Sequence, residues 1–386
     1  MNTNKLVDEE KDYIIEMRRH FHQNPELSWQ EFATTKRLCE EMEKMGIPYK
    51  KFPKTGLIAT IKGTRDHPII GIRADIDALP VTESLDIPFK SLNPNVMHAC
   101  GHDAHIAMLL GAAKVLSQNK DRLNCTVRLL FQPAEEVIQG ARTLLDDPDV
   151  MGCDNFVALH VLPYMQTGTL SVEAGPRFAS ADFFNLKIIG KGGHGSMPHD
   201  SIDPLIAACA VVNNLQTISS KEIDPRETCV ISVCSLNCGQ LGNVIANEAI
   251  LSGTTRAFNP AVRCLLEEKM ERIIKNTCET YRTSYEFEYI NGTPPPINEA
   301  ASSARAENAV RKALGEKCLV SYAPSTGGED FALLLEKIPG LLAFLGTGNA
   351  ANDQCYPLHH ARFDIDEDAL VNGVSFFVQY VLETQD

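Results

Sequence analysis

The 386-residue sequence lacks several features that would place it in a specialised class. No apolar run reaches the roughly 18 residues that a membrane-spanning helix needs. The longest candidate, Ile106 to Leu116, is interrupted by Lys114. No CxxC pair occurs among the twelve cysteines, which argues against a zinc knuckle or a thioredoxin-type site. The polar segment "MNTNKLVDEEKD" has no signal-peptide core, so we expect reduced thiols and a cytoplasmic protein.

Positive charge is also scarce. The chain has 36 Lys and Arg residues against 50 Asp and Glu residues, and its formal net charge is −14. This balance argues against nucleic acid or an anionic membrane as the main partner. A small-molecule substrate could still be held by a local arginine or histidine. The hydrophobic content of 44% is ordinary for a globular protein, and the length favours two domains.

Short β-branched runs alternate with helical stretches through residues 1–180. The run "IIGIRADID" is typical of a buried strand, and helices are predicted over Ala104 to Gln118 and Gln139 to Leu145. The alternation resumes after the proline-rich "NGTPPPINE", with a last helix predicted from Asp366. Residues 1–180 and 295–386 are therefore predicted to form one α/β domain, whose central sheet has helices on both faces.

Residues 181–294 have a different pattern. Their apolar runs predict the order β-α-β-β-α-β, with the second helix beginning at Pro260. This is the split-βαβ order of a ferredoxin-like α+β domain. We therefore expect residues 181–294 to be a second domain inserted into the first.

The stretch "MHACGHDAH" crowds potential metal ligands before an apolar helix. Cys100 and His102 are two residues apart, and Gly101 between them allows a close turn that could direct both side chains at one cation. The alternative is a structural helix start with Asp103 as its N-cap. The density of soft and basic ligand atoms favours a metal site, although such a site needs further ligands from elsewhere.

Further candidates follow other apolar runs. In "QPAEE", one of the adjacent carboxylates Glu135 and Glu136 could bind a metal while the other holds a water. Taken alone, however, the pair is more typical of acids at a helix N-terminus. His160 ends the run "FVALHV", and the spacing of His359 and His360 leaves open which one points inward. Asp75 also follows a strand and could bind a metal or orient a histidine. Strand ends of one sheet meet at one crevice, so we expect a common site.

Together these motifs resemble the aminoacylase and carboxypeptidase family of metallopeptidases, in its amidohydrolase branch. That branch holds hippurate hydrolase, indole-acetyl-amino-acid hydrolases and N-acetyl-diaminopimelate deacetylase. The resemblance spans nearly the whole chain, and its motifs are "RRHFHQNPELSWQE", "RADIDALP", "MHACGHDAH", "QPAEE", "ALHV", "GKGGHGSMPHDSIDP", "NVIANEAILSGTTRAF", "GGEDFA" and "LHHARFDIDE".

The resemblance implies a centre of two divalent metal ions per subunit, with zinc or manganese favoured and cobalt or nickel as alternatives. It implies that Glu135 is the general base and that Asp75 supports the site. The implied metal ligands are Cys100, His102, Glu136, His160 and His359.

The resemblance also implies a role for the inserted domain as a lid and dimerisation domain, and hence a homodimer or higher homo-oligomer. His194 would reach a neighbouring subunit's site as oxyanion donor, and Asn243 and Arg256 would bind the substrate. Without the resemblance, Arg256 would be a strand-face salt-bridge residue and His194 a loop residue beside glycines.

The implied activity is hydrolysis of N-acyl amino acids to a carboxylic acid and an amino acid. A dipeptidase or carboxypeptidase using the same site is the first alternative. A non-catalytic binding protein is less favoured, because binding alone needs no general base. Serine or cysteine hydrolysis is also less favoured, because the chain has no GxSxG motif.

Overall fold

The structure is a computed structural model and describes residues 3–352 and 354–384. The chain divides into two compact units. The first unit comprises Met1–Gly175, Pro296–Ala323 and Asp330–Asp386, and the second comprises Pro176–Pro295 and Pro324–Glu329. No helix of the described residues combines the length and the apolar character needed to cross a membrane.

A seven-stranded sheet forms the centre of the first unit, in the order β1-β2-β4-β3-β5-β15-β6. Its middle strands β4, β3, β5 and β15 run parallel, whereas β1, β2 and β6 pair antiparallel with their neighbours. The strands are β1 (Tyr49–Lys51), β2 (Leu57–Lys62), β3 (Ile69–Asp75), β4 (Thr126–Gln132), β5 (Asn155–Gln166), β6 (Leu170–Ser171) and β15 (Gly340–Gly348). Two short strands, β7 (Gly175–Pro176) and β14 (Ile297–Asn298), lie outside this sheet.

Polar side chains gather where β3 and β4 end and where β5 continues beyond its pairing with β3. Asp75 is the last residue of β3 and lies in register with Gln132, the last residue of β4. Strand β5 pairs with β3 only as far as Ala158, so His160 lies just beyond the shared register. All of β3 is buried, as expected for a central parallel strand. The expected mixed α/β fold with a central sheet is confirmed.

The described residues of the first unit form eight α-helices. Helix α4 begins at His102 and is buried along nearly all its length, contacting the strands β2 to β5. A helix that is apolar on all sides has to be buried in this way. The helices are α1 (Thr3–Asp8), α2 (Lys11–Gln23), α3 (Phe32–Met45), α4 (His102–Gln118), α5 (Pro148–Met151), α8 (Ala300–Ala313), α9 (Ala332–Leu335) and α10 (Ala369–Glu383).

Two helix predictions were wrong in detail. The stretch predicted as a helix from Gln139 to Leu145 forms only a 3₁₀ turn, Ala141–Leu144. The C-terminal helix begins at Ala369 instead of Asp366, because the Asp366 carboxylate accepts a hydrogen bond from the backbone N–H of Asp368. Such a local side-chain bond competes with helix formation.

The second unit contains a four-stranded antiparallel sheet in the order β10-β12-β8-β13. Its helices begin where the sequence has strong start signals. Pro204 and Pro260 occupy first helical turns, and the preceding Asp203 and Asn259 accept backbone N–H groups as N-caps. The elements are β8 (Ala181–Ile189), β9 (Gly193–His194), α6 (Pro204–Thr217), β10 (Cys229–Cys238), β11 (Val244–Ile245), β12 (Glu248–Ala257), α7 (Pro260–Thr280) and β13 (Ser284–Thr293).

Candidate metal centre

Cys100 and His102 are brought together by the turn that starts helix α4. Gly101 is the N-cap and has φ 87°, a left-handed conformation that glycine adopts at least cost. A Cβ at this position would collide with the side chain of Val161. The turn therefore needs glycine for two independent reasons, and it directs both neighbouring side chains into the first unit.

Hydrogen bonds set the ring orientation of two histidines at this site. The Nδ1–H of His102 donates to the backbone carbonyl of Asp77 at 2.8 Å, and that of His160 donates to the carbonyl of Val161 at 2.8 Å. In the neutral rings, each Nε2 then carries the lone pair. Backbone carbonyls commonly orient metal-binding histidines in this way.

Five of the predicted residues form two groups of potential ligands that share Cys100. Cys100 lies with His102 and His160 in one group, whose ligand atoms are all within 4.8 Å of one another. Cys100 also lies with Glu136 and His359 in a second group of the same kind. The thiol sulfur is 3.6 Å from His160 Nε2. A shared thiolate between two triads is suited to bridging two cations.

The structure separates the two adjacent histidines near the C-terminus. His359 adopts φ 66°, and its Nε2 lies 3.7 Å from a carboxylate oxygen of Glu136. Its backbone N–H donates to the carbonyl of Ala99, which ties this loop to the cysteine turn. His360 instead stacks on the ring of Tyr356 with centroids 4.9 Å apart. His359 is thus the member of the pair that faces the site.

The electrostatics of the site favour a cation. Burial alone would lower the pKa of the His102 imidazole, but the nearby carboxylates, led by Asp75, outweigh burial and raise that pKa to about 10. Burial raises the pKa of Glu136 to about 7, although His102 opposes the shift. The carboxyl of Asp75 is fully buried, yet His102 and Arg73 hold its pKa well below the usual value. The carboxylates that stabilise a proton on His102 would also stabilise a divalent cation.

Two buried atoms at the centre have no hydrogen-bond partner among the described residues. They are Nε2 of His102 and Oε1 of Glu136, which lie 3.8 Å apart. Buried polar atoms are normally satisfied, so such atoms facing each other indicate a missing partner of opposite character. Together with a thiol and further imidazoles, they are the donors that zinc and similar divalent ions use. The residues present therefore fit a two-ion centre.

Asp75 is bonded to His105, which the sequence analysis counted only among the potential ligands and supporting groups of "MHACGHDAH". The Nδ1–H of His105 donates to Asp75 at 2.6 Å, and its Nε2 accepts the backbone N–H of Val161 at 3.0 Å. Because both ring nitrogens are engaged, His105 orients Asp75 and is not itself available as a ligand. His105 lies three residues after His102, a spacing that places both side chains on one face of a helix. This spacing was the sequence signal that could have predicted the contact of His105 with the site.

The Glu pair lies in a turn after β4, not at a helix N-terminus as one interpretation of the motif allowed. Glu136 faces His102 and His359 at 3.8 and 3.7 Å. Glu135 accepts the backbone N–H of Asp330 at 3.4 Å. Both carboxylates lie within 4.8 Å of a ring nitrogen of His102. Among the described residues, however, only Glu136 is grouped with Cys100 and His359, and only Glu135 with Glu329 and Asp330.

Asp103 does not cap helix α4. Its carboxylate accepts from Arg18 Nε at 3.0 Å and lies 2.8 Å from His22 Nδ1. His98 is also buried here, and neither ring nitrogen has a hydrogen-bond partner among the described residues. Burial lowers the pKa of His98 to about 4. Both residues belong to the stretch "MHACGHDAH" with its potential ligands and supporting groups, but neither is a member of a ligand triad formed by the described residues.

His194, Asn243 and Arg256 lie in the second unit. His194 pairs with Val244 across β9 and β11, and the carbonyl of Asn243 accepts the N–H of Gly195, so His194 and Asn243 are close neighbours. The exposed His194 ring accepts the Ser196 N–H at Nδ1, which leaves the proton of the neutral ring on Nε2. Arg256 lies on β12, half-buried, with its guanidinium bonded to the Thr255 carbonyl.

Comparisons with known proteins identify the family. The model of peptidase family M20/M25/M40 matches residues 71–383. N-acetylcysteine deacetylase of Bacillus subtilis is 40% identical over 376 residues, which cover 96% of this chain and 97% of the relative. Thermostable carboxypeptidase 2 of Saccharolobus solfataricus is 37% identical over 373 residues, covering 95% of this chain and 94% of the relative.

A solved structure leads to the same family. The crystal structure of a dinuclear metal-binding peptidase of family M20 from Bacillus subtilis has a TM-score of 0.87 and 36% identity, covering 98% of this chain and 99% of that one. The chain belongs to peptidase family M20/M25/M40. It is a metal-dependent amidohydrolase, and the resemblance inferred from the sequence is confirmed.

Proposed function

We propose that this chain hydrolyses the amide bond of N-acyl amino acids, releasing a carboxylic acid and a free amino acid. The observation that carries the proposal is the pair of ligand triads sharing Cys100, with Glu135 beside them. The similarity to N-acetylcysteine deacetylase supports this substrate class. We propose a cytoplasmic location, which is consistent with twelve cysteines that are all free thiols.

The proposed ligands are Cys100, His102 and His160 for one ion and Cys100, Glu136 and His359 for the other. Thiolate, imidazole and carboxylate donors suit zinc or manganese, with cobalt or nickel as alternatives. When bound, such ions polarise the amide carbonyl and lower the pKa of the attacking water.

Glu135 is the proposed general base. It takes a proton from the water that adds to the amide carbonyl, and it returns that proton to the amine as the carbon–nitrogen bond breaks. Its separation from the ligand role of Glu136 is supported by their surroundings. Both carboxylates lie near His102, but Glu135 accepts the N–H of Asp330, and Glu136 is the one grouped with Cys100 and His359 among the described residues. Asp75, held by Arg73 and His105, is the proposed supporting carboxylate.

We propose that residues 181–294 form a lid and dimerisation domain inserted between residues 1–180 and 295–386. His194 would donate from Nε2 to the oxyanion of a neighbouring subunit's substrate, and the bond that Nδ1 accepts from Ser196 supports this tautomer. Asn243 and Arg256 would bind the substrate. A guanidinium can hold the free carboxylate of an amino acid through two parallel hydrogen bonds.

A dipeptidase or carboxypeptidase activity is the second candidate, favoured by the similarity to thermostable carboxypeptidase 2. Both candidates use the same residues and differ only in the group on the acyl side of the bond. The discriminating experiment is a panel of N-acetyl and N-benzoyl amino acids beside dipeptides, assayed on protein of measured metal content. We expect higher kcat/KM on the N-acyl amino acids. Higher values on dipeptides throughout would replace the first candidate by the second.

A further inference from the structure

The loop that carries Glu135 and Glu136 has an unusual backbone. Ala134 and Ile138, on either side of the pair, adopt φ 54° and 57°. Left-handed conformations cost residues with a side chain about 1–3 kcal/mol and persist where surrounding structure enforces them. Contacts with other residues of the first unit therefore have to stabilise this loop conformation.

Three buried carboxylates hold the loop by its backbone. Glu31 accepts the N–H of Ala134 at 2.9 Å, before the Glu pair. Asp77 accepts the N–H of Glu136 at 3.0 Å, within the pair. Asp330 accepts the N–H of Ala141 at 2.9 Å, after it. All three acceptors are almost completely buried, where charge-assisted bonds to N–H groups are strong.

Asp330 differs from the other two because it also reaches the candidate general base. Its own N–H donates to Oε1 of Glu135 at 3.4 Å. Such bonds at catalytic groups are often long in the free enzyme and shorten when substrate binds. Asp330 is therefore bonded both to the far end of the loop and to the Glu135 carboxylate.

Asp330 is itself anchored to two strand ends of the central sheet. Its Oδ1 accepts from Nε2 of Gln132 at 2.6 Å and from Nη2 of Arg73 at 3.2 Å. Gln132 is the last residue of β4, and Arg73 lies near the end of β3 and also binds Asp75. These bonds fix the Asp330 backbone relative to the sheet edge from which the ligands project.

We propose that Asp330 is a positioning residue for Glu135, acting through its backbone N–H and through the loop that it anchors. The inference rests on the proposed function, in which Glu135 is the general base. Asp330 does not touch the substrate in this scheme. It holds the Glu135 carboxylate in the orientation in which it takes the water's proton, and a misplacement of about 1 Å can cost about 100-fold in rate.

Asp330→Asn tests this role with little change of shape. Both carboxylate oxygens accept donors, Gln132 and Arg73 on one and Ala141 on the other. Whichever way the amide turns, its NH₂ group faces an N–H donor, so the anchoring is lost on one side, either to Ala141 or to Gln132 and Arg73. We expect kcat for N-acyl amino acid hydrolysis to fall about 10–100-fold, with KM and metal content unchanged.

Glu41→Gln is a matched control for the loss of a buried carboxylate. Glu41 also accepts three donors on its two oxygens, from Arg37, Lys44 and Tyr13 at 2.8–2.9 Å. It lies on helix α3, and none of its hydrogen-bond partners in the described part of the chain is a site residue. We expect Glu41→Gln to lower the melting temperature and leave kcat unchanged. Equal kcat losses in both variants would indicate a general structural effect and overturn the proposal.

A double variant separates positioning from other causes. If Asp330 acts through Glu135, Asp330→Asn should cause no further loss of kcat in a Glu135→Gln background, because the group being positioned is already inactive. If Asp330→Asn lowers kcat in the Glu135→Gln background by the same factor as in the wild-type background, the proposal is overturned. If Glu135→Gln alone keeps full activity, the general-base assignment fails instead, and that result is distinguishable from an inert Asp330→Asn.

Gln132→Met carries the test if Asp330→Asn does not fold. It removes the shortest bond to Asp330, at 2.6 Å, while keeping a side chain of similar length. We expect a loss of kcat in the same direction, again absent from the Glu135→Gln background. Normal kcat in folded Gln132→Met with intact metal content would overturn the proposal. If neither variant folds, the hydrogen bonds of Asp330 serve stability alone, and the proposal is overturned as well.

Discussion

The Cys100 thiol lies 3.6 Å from Nε2 of His160, at the end of a turn that only glycine can form without strain and collision. The same sulfur belongs to a second group with Glu136 and His359. One side chain is therefore common to both triads, whereas each of the other four serves only one. This asymmetry has consequences that can be measured.

Removing Cys100 should lower the occupancy of both metal ions, whereas removing a ligand of one triad should lower the occupancy of one ion only. We expect Cys100→Ala to lose most of both metal ions, whereas His160→Ala and His359→Ala should each lose one and retain the other. Elemental analysis of desalted protein measures the stoichiometry directly. As a control, exhaustive chelation of the wild-type enzyme should abolish amide hydrolysis, and added divalent metal should restore it. Full metal content in Cys100→Ala would contradict a shared ligand.

The adjacent glutamates should give opposite phenotypes. Glu135→Gln is expected to keep its metals and lose about 10²–10⁴-fold in kcat, the usual contribution of a general base. Glu136→Gln should instead lower metal occupancy, because it removes a charged ligand. Paired measurements of kcat and metal content on both variants test this. If the two phenotypes were exchanged, the assignment within the pair would be reversed.

Elements with strong local signals could be predicted from the sequence. The start of helix α7 at Pro260 is confirmed, because proline in the first turn behind an Asn cap determines that boundary. The helix from Gln139 is absent because its segment is held by tertiary bonds, such as that from Ala141 to Asp330. No local pattern in the sequence reports a partner 189 residues away.

The same limit applies to the site. Residue type and position at the end of an apolar run were enough to nominate His160 and Asp75. Asp75 does end its strand, whereas β5 continues past His160 to Gln166. Spacing left the choice between His359 and His360 open, and the resemblance alone implied His359. In the structure His359 has a left-handed backbone, and its ring lies 3.7 Å from Glu136. The anchoring role of Asp330 likewise depends on bonds between segments far apart in the chain.

Gly101→Ala should disturb the cysteine turn more than backbone strain alone explains. A non-glycine residue at φ 87° costs about 1–2 kcal/mol, and the added Cβ would also collide with Val161. Gly46→Ala is the matched control, because Gly46 has φ 66° but no atom near a Cβ. We expect denaturant unfolding to show about 1–2 kcal/mol of destabilisation for the control and roughly 1–3 kcal/mol more for Gly101→Ala, with loss of metal. Equal effects would exclude the collision.

His98 should make the metal-free protein sensitive to acid. Burial lowers its pKa to about 4 in the folded state, whereas an unfolded histidine takes up its proton near pH 6.5. The unfolded state therefore binds more protons in this window, and stability falls as the pH falls from about 6.5 to about 4, by about 3 kcal/mol. His98→Phe keeps a ring without titrating nitrogens and should show a shallower decline in denaturant unfolding. An unchanged slope would refute this contribution.

His194→Ala should lower turnover while metal content stays intact. His194 lies in the second unit and is no member of either ligand triad. If its Nε2–H stabilises the oxyanion, the loss should be about 2.7–4 kcal/mol, or 10²–10³ in kcat. In wild type, Nδ1 of His194 accepts from Ser196, so Nε2–H is the donor that faces away from Ser196. His194→Asn is a useful comparison with His194→Ala, because its shorter side chain still carries an N–H donor. Wild-type kcat in His194→Ala would remove the residue from the mechanism.

Subunit mixing tests whether His194 serves a neighbour. A His194→Ala homodimer lacks the donor in both sites, and a Glu135→Gln homodimer lacks the base in both. In a heterodimer of the two, one site combines an intact Glu135 from one subunit with an intact His194 from the other. After unfolding and refolding of differently tagged subunits together, purified heterodimers should regain up to half the wild-type activity. If heterodimers of verified composition stay inactive, His194 does not complete the site of a neighbouring subunit.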